Sequence, residues 1–306
     1  MNHIINTLNN CNLCPRECGV NRTQNELGYC QVGSQPLVAS ITLHRGEEPV
    51  ISGKNGICNV FFAHCNLACI FCQNHQISEN SSYQSGWISD YDIVISQIIA
   101  ILKSGTNMLG FVSPTHQIPQ MVTIINKLKD MGYSPRIVYN TNCFENPHIL
   151  RELSQIVDIY LPDIKYFDNY LGEKYSCAPN YFTTAIKALE EMIWQKGTSI
   201  LIDDEGTIES GVVLRHLVLP GHSADSIKIF EYLAHNISSN ITISLMSQYH
   251  PVGELPHPLN RTVTTKEYMD VVRKVEDFGF HRGWIQDIDS NSHYLPNFSN
   301  DTPFVD

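Results

Sequence analysis

Three cysteines, Cys65, Cys69 and Cys72, form a C-x3-C-x2-C run inside FFAHCNLACIFCQNHQIS. Three thiolates at this spacing can bind three irons of a cubane [4Fe–4S] cluster. No cysteine sits next to Cys72 to take the fourth iron. An iron left open in this way can chelate a substrate or cofactor, whereas a fourth cysteine would close the site for simple electron transfer. A zinc site, or thiols that bind nothing, is the competing reading. A lone C-x-x-C would favour zinc; the three-cysteine spacing directly after an apolar run favours the cluster. The aromatic Phe71 before the last cysteine belongs to the same motif.

A second group, Cys11, Cys14, Cys18 and Cys30, is spaced C-x2-C-x3-C-x11-C. Four soft ligands can close a tetrahedral metal site, and either zinc or an auxiliary [4Fe–4S] cluster suits them. Pro15, Gly19 and Gly28 let the backbone turn tightly around such a centre. The plain alternative is that these thiols bind nothing. Cys58, Cys143 and Cys177 are isolated. Clustered cysteines in a chain with no secretory start point to metal rather than disulfides.

The elements that must position these groups alternate. Apolar runs at 37–43, 57–63, 108–112, 136–140, 156–161, 212–219 and 241–246 read as strands, and 281–286 as a last one. Helix-period patterns fall at 90–103, with Ser89 or Asp90 as N-cap, and at 117–131, with Pro119 in the first turn. Further helices are expected at 146–154, 180–195, 225–235 and 265–278. Residues 78–85 read as a Ser/Asn-rich loop, and the tail from 289 has no pattern. About six strand–helix alternations give an α/β fold with a parallel sheet and crossover helices. Such sheets carry ligand sites at the carboxyl ends of their strands.

The chain has 306 residues, 42% of them hydrophobic, which supports a normal packed core. A formal net charge of −11 with no Lys/Arg run argues against nucleic acid and against an anionic membrane surface. MNHIINTLNN lacks the basic start and apolar run of a secretory signal, and no stretch is long enough to span a bilayer. A cytoplasmic protein is expected.

The stretches CNLCPRECGVNR, FFAHCNLACIFCQNHQIS, FVSPTHQIPQ, YNTNCFE, YLPDIKY, RHLVLPG and SLMSQYHP together resemble the radical S-adenosylmethionine superfamily. Within it, the chain is similar to the family of the pyruvate formate-lyase activating enzyme, in a branch with an N-terminal cysteine segment. The resemblance implies a partial (β/α)6 barrel over residues 51–287, an N-terminal cysteine-rich lobe over 1–50 and a tail over 288–306. It also implies S-adenosylmethionine chelated by the open iron and cleaved reductively to a 5′-deoxyadenosyl radical that abstracts hydrogen from a substrate. The implied partners are a low-potential electron donor of flavodoxin or ferredoxin type and a substrate that is either a glycyl radical enzyme or another protein, peptide or small molecule. An iron–sulfur electron carrier or redox sensor, or a zinc-stapled scaffold, is the rival class.

The same resemblance assigns cofactor contacts to strand ends. Ser113, Thr115 and His116 stand where relatives carry a Gly-Gly-Glu segment against the cofactor's amino group. Turn chemistry around Pro114 is the bland alternative. Asn140, with Thr141 beside it, ends the next strand, where an Asp would be expected to help hold a monovalent cation. Asp163 and Lys165 match a cofactor-proximal pair, or else form a structural ion pair. Arg215 can clamp a carboxylate in a bidentate way. His250 is a cofactor contact or a satisfied structural histidine. His64, His75 and His222 are further candidates, and Asn66 and Asn74 shape the cysteine loop.

Overall fold

In the computed structural model of the chain, residues 2–288, 290, 295–300 and 302–304 are described. In chain order the elements are α1 (Asn2–Asn6), β1 (Val38–His44), α2 (Pro49–Ser52), β2 (Ile57–Phe62) and α3 (His75–Ser78). Then come α4 (Tyr91–Leu102), β3 (Met108–Val112), α5 (Ile118–Asp130), β4 (Arg136–Thr141), α6 (Pro147–Glu152) and β5 (Ile159–Pro162). The chain continues with α7 (Asn169–Ser176), α8 (Tyr181–Lys196), β6 (Leu201–Ile202), β7 (Ile208–Leu217), α9 (Ser223–Asn236), β8 (Thr242–Met246), α10 (Thr265–Asp277) and β9 (Gly283–Ile285).

The strands form one sheet in the order β1-β2-β3-β4-β5-β7-β8-β9, with β6 paired to β7. All neighbours from β2 to β9 are parallel; β1 on β2 and β6 on β7 are antiparallel. The sheet does not close, because β1 and β9 end the order without pairing to each other. This is the partial barrel expected from the sequence: six parallel strands, β2 to β8, with β9 as a short seventh. Every residue of β2 is buried, as its uninterrupted apolar run requires when both faces of a parallel sheet are covered. Gly110 in β3 makes room for a polar neighbour, since a Cβ there would meet Asn59 Oδ1 at 2.1 Å. Asn59 in turn donates to Glu47 at 2.8 Å.

Local chemistry sets the element ends. The Asp90 side chain accepts from the Asp92 and Ile93 amides and starts α4. Thr264 and Glu267 form a capping box at the start of α10. Besides the short α1, α2, α3 and β6, which the sequence reading does not anticipate, three elements differ from expectation. The strand expected from 156 begins only at Ile159, because the Ile156 and Val157 amides turn back to the Leu153 carbonyl after α6. The polar run NYLGEKYS forms α7, which periodicity does not reveal. β7 starts four residues before its apolar run because β6 pairs with its beginning.

The cysteine-rich segment packs on the barrel: Ile4, Cys11 and Leu13 belong to the main hydrophobic core. At the other end of the chain, the rings of Phe298 and Phe304 lie 5.2 and 5.7 Å from that of Phe61. Part of the expected tail, 288–306, falls outside the described residues. No helix among the described residues is long and apolar enough to cross a membrane.

Candidate active site

The loop after β2 carries Cys65, Cys69 and Cys72 at the carboxyl end of the first parallel strand. His64, with φ 67°, turns the chain out of the strand. The Asn80 side chain then brackets Cys65, accepting from its amide at 2.9 Å and donating to its carbonyl at 3.0 Å. The Ala68 and Ile70 amides donate to the Ser176 and Tyr175 carbonyls, at 3.1 and 2.9 Å, so the end of α7 holds the middle of the loop. Gly172 lets α7 sit close to α8, since a Cβ there would come to 2.6 Å of Tyr181 Cβ.

Each sulfur has a donor aimed at it. The Leu67 amide and Asn142 Nδ2 lie 3.4 and 3.5 Å from Cys65 Sγ. The Ser176 hydroxyl donates to Cys69 Sγ at 2.9 Å, and the Ser78 hydroxyl to Cys72 Sγ at 3.3 Å. Burial, reinforced by the neighbouring Cys69, pushes the Cys65 thiol up to about 12. Burial likewise lifts Cys69 to about 11, against the pull of Lys165. Such a site keeps the Cys65 and Cys69 thiols neutral on their own and offers donors for sulfur-centred charge. A bound cationic cluster resolves that mismatch, so the donor set fits. No three His, Cys, Asp or Glu side chains among the described residues form a group that could hold a single metal ion.

Asp163 and Lys165, just past β5, form a largely enclosed ion pair beside this loop. Burial pulls the Lys165 ammonium down, but the Asp163 carboxylate beside it outweighs that and holds the group charged. Asp163 Oδ1 is buried and has no hydrogen-bond partner among the described residues. It is an acceptor for which the described residues supply no donor. Tyr181 Oη, 2.8 and 2.9 Å from the Asn142 and Asp163 carbonyls, ties the two strand ends together.

The turn after β3 departs from its expected role. Ser113 adopts a left-handed conformation, φ 48°, and its amide donates to the Asn140 carbonyl at 2.7 Å. Thr115 and His116 are fully enclosed. The Thr115 hydroxyl donates to Glu145 Oε1 at 2.6 Å, and His116 Nε2 pairs with the Ala63 carbonyl at 2.9 Å. Burial holds His116 down at about 3, hence neutral. Their side chains fasten the turn rather than face an open ligand surface, which leaves the half-buried Ser113 as the most accessible member of the trio. Thr141 also donates to Glu145, as does Tyr139 Oη at 3.1 Å. Glu145 is the residue that sequence reasoning missed. It lies in the quoted YNTNCFE stretch, but only the fold brings three hydroxyls onto it. Burial raises its carboxyl to about 7.

Arg215 does not present a free guanidinium. It is clamped by both Glu47 and Glu48, with Arg215 Nε donating to Glu48 Oε1 at 2.8 Å. Together with Asn140, Gln73 and Gln248 these residues line a cavity of about 250 Å³ inside the barrel mouth. His250 follows Tyr249, whose ring packs 5.9 Å from Phe71, and its side chain makes no hydrogen bond among the described residues. Of the other histidines, His64 faces the Cys30 and Ser82 carbonyls, each at 2.9 Å, and His222 pairs with Tyr175 Oη at 3.2 Å. His75 opens α3. Asn66 does shape the loop, donating to the Phe144 carbonyl at 2.8 Å, and the Asn74 carbonyl starts α3 by accepting from Ile77 and Ser78. In the N-terminal group Cys11, Cys14 and Cys30 are buried and Cys18 is exposed.

No family model matches the chain. An uncharacterised protein of Methanocaldococcus jannaschii is 29% identical over 282 residues, covering 89% of this chain and 76% of its own length. Among solved structures, native anSMEcpe with bound AdoMet and Kp18Cys peptide is 14% identical. That match covers 78% of this chain and 62% of the other, with a TM-score of 0.50. A domain of the pyruvate-formate lyase-activating enzyme from Bacteroides vulgatus is also 14% identical, over 55% of this chain and 89% of the other, at a TM-score of 0.40. The chain thus spans less than two thirds of anSMEcpe, and what the two share is the partial-barrel fold. The activating-enzyme domain, at its lower score, does not carry the narrower family assignment.

Proposed function

We propose that the chain is a radical S-adenosylmethionine enzyme, with Cys65, Cys69 and Cys72 holding a [4Fe–4S] cluster at the mouth of the barrel. The observation that carries this reading is the cysteine loop itself: three thiols, each met by a hydrogen-bond donor, beside the buried and unpartnered Asp163 Oδ1. When bound, the cluster supplies the electron that splits S-adenosylmethionine into methionine and a 5′-deoxyadenosyl radical.

The chain's own residues do the remaining work. Asp163 Oδ1 would accept from the cofactor's hydroxyl or amino groups, and the ion pair with Lys165 holds the carboxylate in place for that purpose. Ser113 and Asn140 line the adjoining strand ends. The enclosed Glu145 hub fixes the turns that carry these groups, so their geometry is set before the cofactor arrives. Packing of the lobe and of Phe298 and Phe304 around the mouth limits water access.

By its resemblance, the substrate is a glycyl residue of a partner protein, and the electron comes from a flavodoxin or ferredoxin in a reducing cytoplasm. The test is anaerobic. The protein is reconstituted with iron and sulfide, S-adenosylmethionine and dithionite are added, and 5′-deoxyadenosine is quantified. Product that disappears in Cys65→Ala, Cys69→Ala and Cys72→Ala supports the reading. A cluster that assembles without any 5′-deoxyadenosine favours an iron–sulfur carrier or sensor instead.

A further inference from the structure

We propose that Cys11, Cys14, Cys18 and Cys30 hold a second, thiolate-bound metal centre, and that Arg22 is the cation built in to offset its negative charge. Arg22 is only 2% exposed. Its Nη2 donates to Cys11 Sγ at 3.1 Å and to Cys30 Sγ at 3.4 Å. Its Nη1 donates to the His116 carbonyl at 2.7 Å, and its Nε is buried without a partner. Among the described residues no carboxylate pairs with it. The contrast with Arg215, the other enclosed arginine, is direct: that guanidinium has two carboxylates.

An enclosed cation without an anion carries an unrelieved desolvation cost. Neutral thiols do not relieve it. Four thiolates around zinc(II), or around a [4Fe–4S] core, make a doubly negative centre that does. Loading then exchanges thiol protons, released to solvent, for metal–sulfur bonds. The backbone is shaped for this. The Cys11 amide donates to the Val20 carbonyl at 3.0 Å and the Gly19 amide to the Cys11 carbonyl at 2.9 Å, folding the first three cysteines into one loop. Gly28 lets the strand of chain before Cys30 press on that loop, since a Cβ there would come to 3.0 Å of Cys18 Sγ. The Tyr29 amide donates to the same sulfur at 3.4 Å. Among the described residues no three such side chains are grouped to hold a metal ion, so loading requires these sulfurs to draw together.

The centre is wired to the main site. Arg22 joins it to the turn after β3 through the His116 carbonyl. The Cys30 carbonyl meets His64, next to Cys65, and Asn80 donates to the Tyr29 carbonyl at 3.1 Å while bracketing Cys65. Arg22 is in this sense a positioning residue.

The experiment uses the full chain carrying Cys65→Ala, Cys69→Ala and Cys72→Ala, so that the proposed catalytic cluster cannot contribute. One portion is loaded with zinc(II), another anaerobically with ferrous iron and sulfide, and metal and sulfide per chain are measured. Retention of one zinc or one cluster in either arm is the expected result, and the arm that fills names the centre. No metal in either arm, from a chain that keeps its folded circular dichroism, overturns the proposal. Should that variant not fold, Cys14→Ala alone is compared with the unmodified chain: total metal falls by the second centre's share, and an unchanged total overturns it. For Arg22, Arg22→Met is expected to weaken retention against a chelator about 10–100-fold, with Arg22→Lys restoring part of it. Arg22→Met also lowers the Tm of the loaded protein but not of the metal-free one. Equal losses in both states would make Arg22 a packing residue only. Failure of 5′-deoxyadenosine production leaves each of these readouts untouched.

Discussion

Ser176 donates its hydroxyl to Cys69 Sγ across 2.9 Å, although 107 residues separate the two in the chain. Ser176 closes α7 and is fully buried, and its oxygen lies 2.7 Å from Tyr166 Oη. A donor on a ligand sulfur favours the reduced, more negative cluster. Ser176→Ala is therefore expected to lower the reduction potential of the reconstituted cluster, while costing about 1–3 kcal/mol of stability, because two hydrogen bonds go and the buried Tyr166 hydroxyl loses its partner. A redox titration followed by electron paramagnetic resonance reads the potential. An unchanged potential with a full cluster would show that the hydroxyl serves Tyr166 alone.

Glu145 gives the folded chain a pH signature. Its carboxyl sits at about 7 against the usual 4.5, so the folded state holds this proton more tightly than the unfolded one. The sign follows from linkage. Its contribution is fully present below pH 4.5, declines as the pH rises, and is lost by passage through about pH 7. The span amounts to roughly 3 kcal/mol. Glu145→Gln keeps an acceptor for Thr115 but cannot ionise, so its urea midpoint should change less between pH 5 and 8 than that of the parent. Identical slopes for both proteins would rule the carboxyl out as the titrating group.

Arg215 holds Glu47 and Glu48 together at the mouth of the barrel. Against burial, its charge keeps the Glu47 carboxyl below the usual range, and the two carboxylates keep the guanidinium protonated. Removing the cation leaves two enclosed like charges. Arg215→Leu is expected to destabilise by about 3–5 kcal/mol, measured by chemical denaturation. Combining it with Glu47→Gln and Glu48→Gln should restore much of the loss. A triple variant as unstable as the single one would locate the damage in packing rather than charge.

The parts of this molecule that repeat locally are legible in its sequence. Apolar runs gave six parallel strands, and Asp90 starts α4 where its side chain type suggests. The spacing of Cys65, Cys69 and Cys72 needs no third dimension to suggest a cluster. Glu145, Arg22 and Ser176 could not be read in the same way, because each acquires its role from groups brought in by other segments. Thr115, His116 and Arg215 show the converse. Their types suit a cofactor, yet the fold spends them on Glu145, the Ala63 carbonyl and the Glu47–Glu48 pair. A polar helix such as α7 hides for a related reason: its buried face is Leu171, Gly172, Tyr175 and Ser176, with a single aliphatic side chain rather than an apolar stripe.

The hold of Ser176 on the cysteine loop also sets an order of assembly. At ordinary elongation rates, roughly 5–20 s pass between the synthesis of Cys69 and that of Ser176. Throughout that interval the Ala68 and Ile70 amides lack their acceptors, and three thiols leave the ribosome on an unbraced segment. Ribosome-arrested chains ending before α7 should be alkylated quickly at these cysteines, and chains extended past α8 slowly. On the proposed reading, iron delivery would belong to the finished chain, and the nascent one would need reducing surroundings to reach that point with its sulfurs intact.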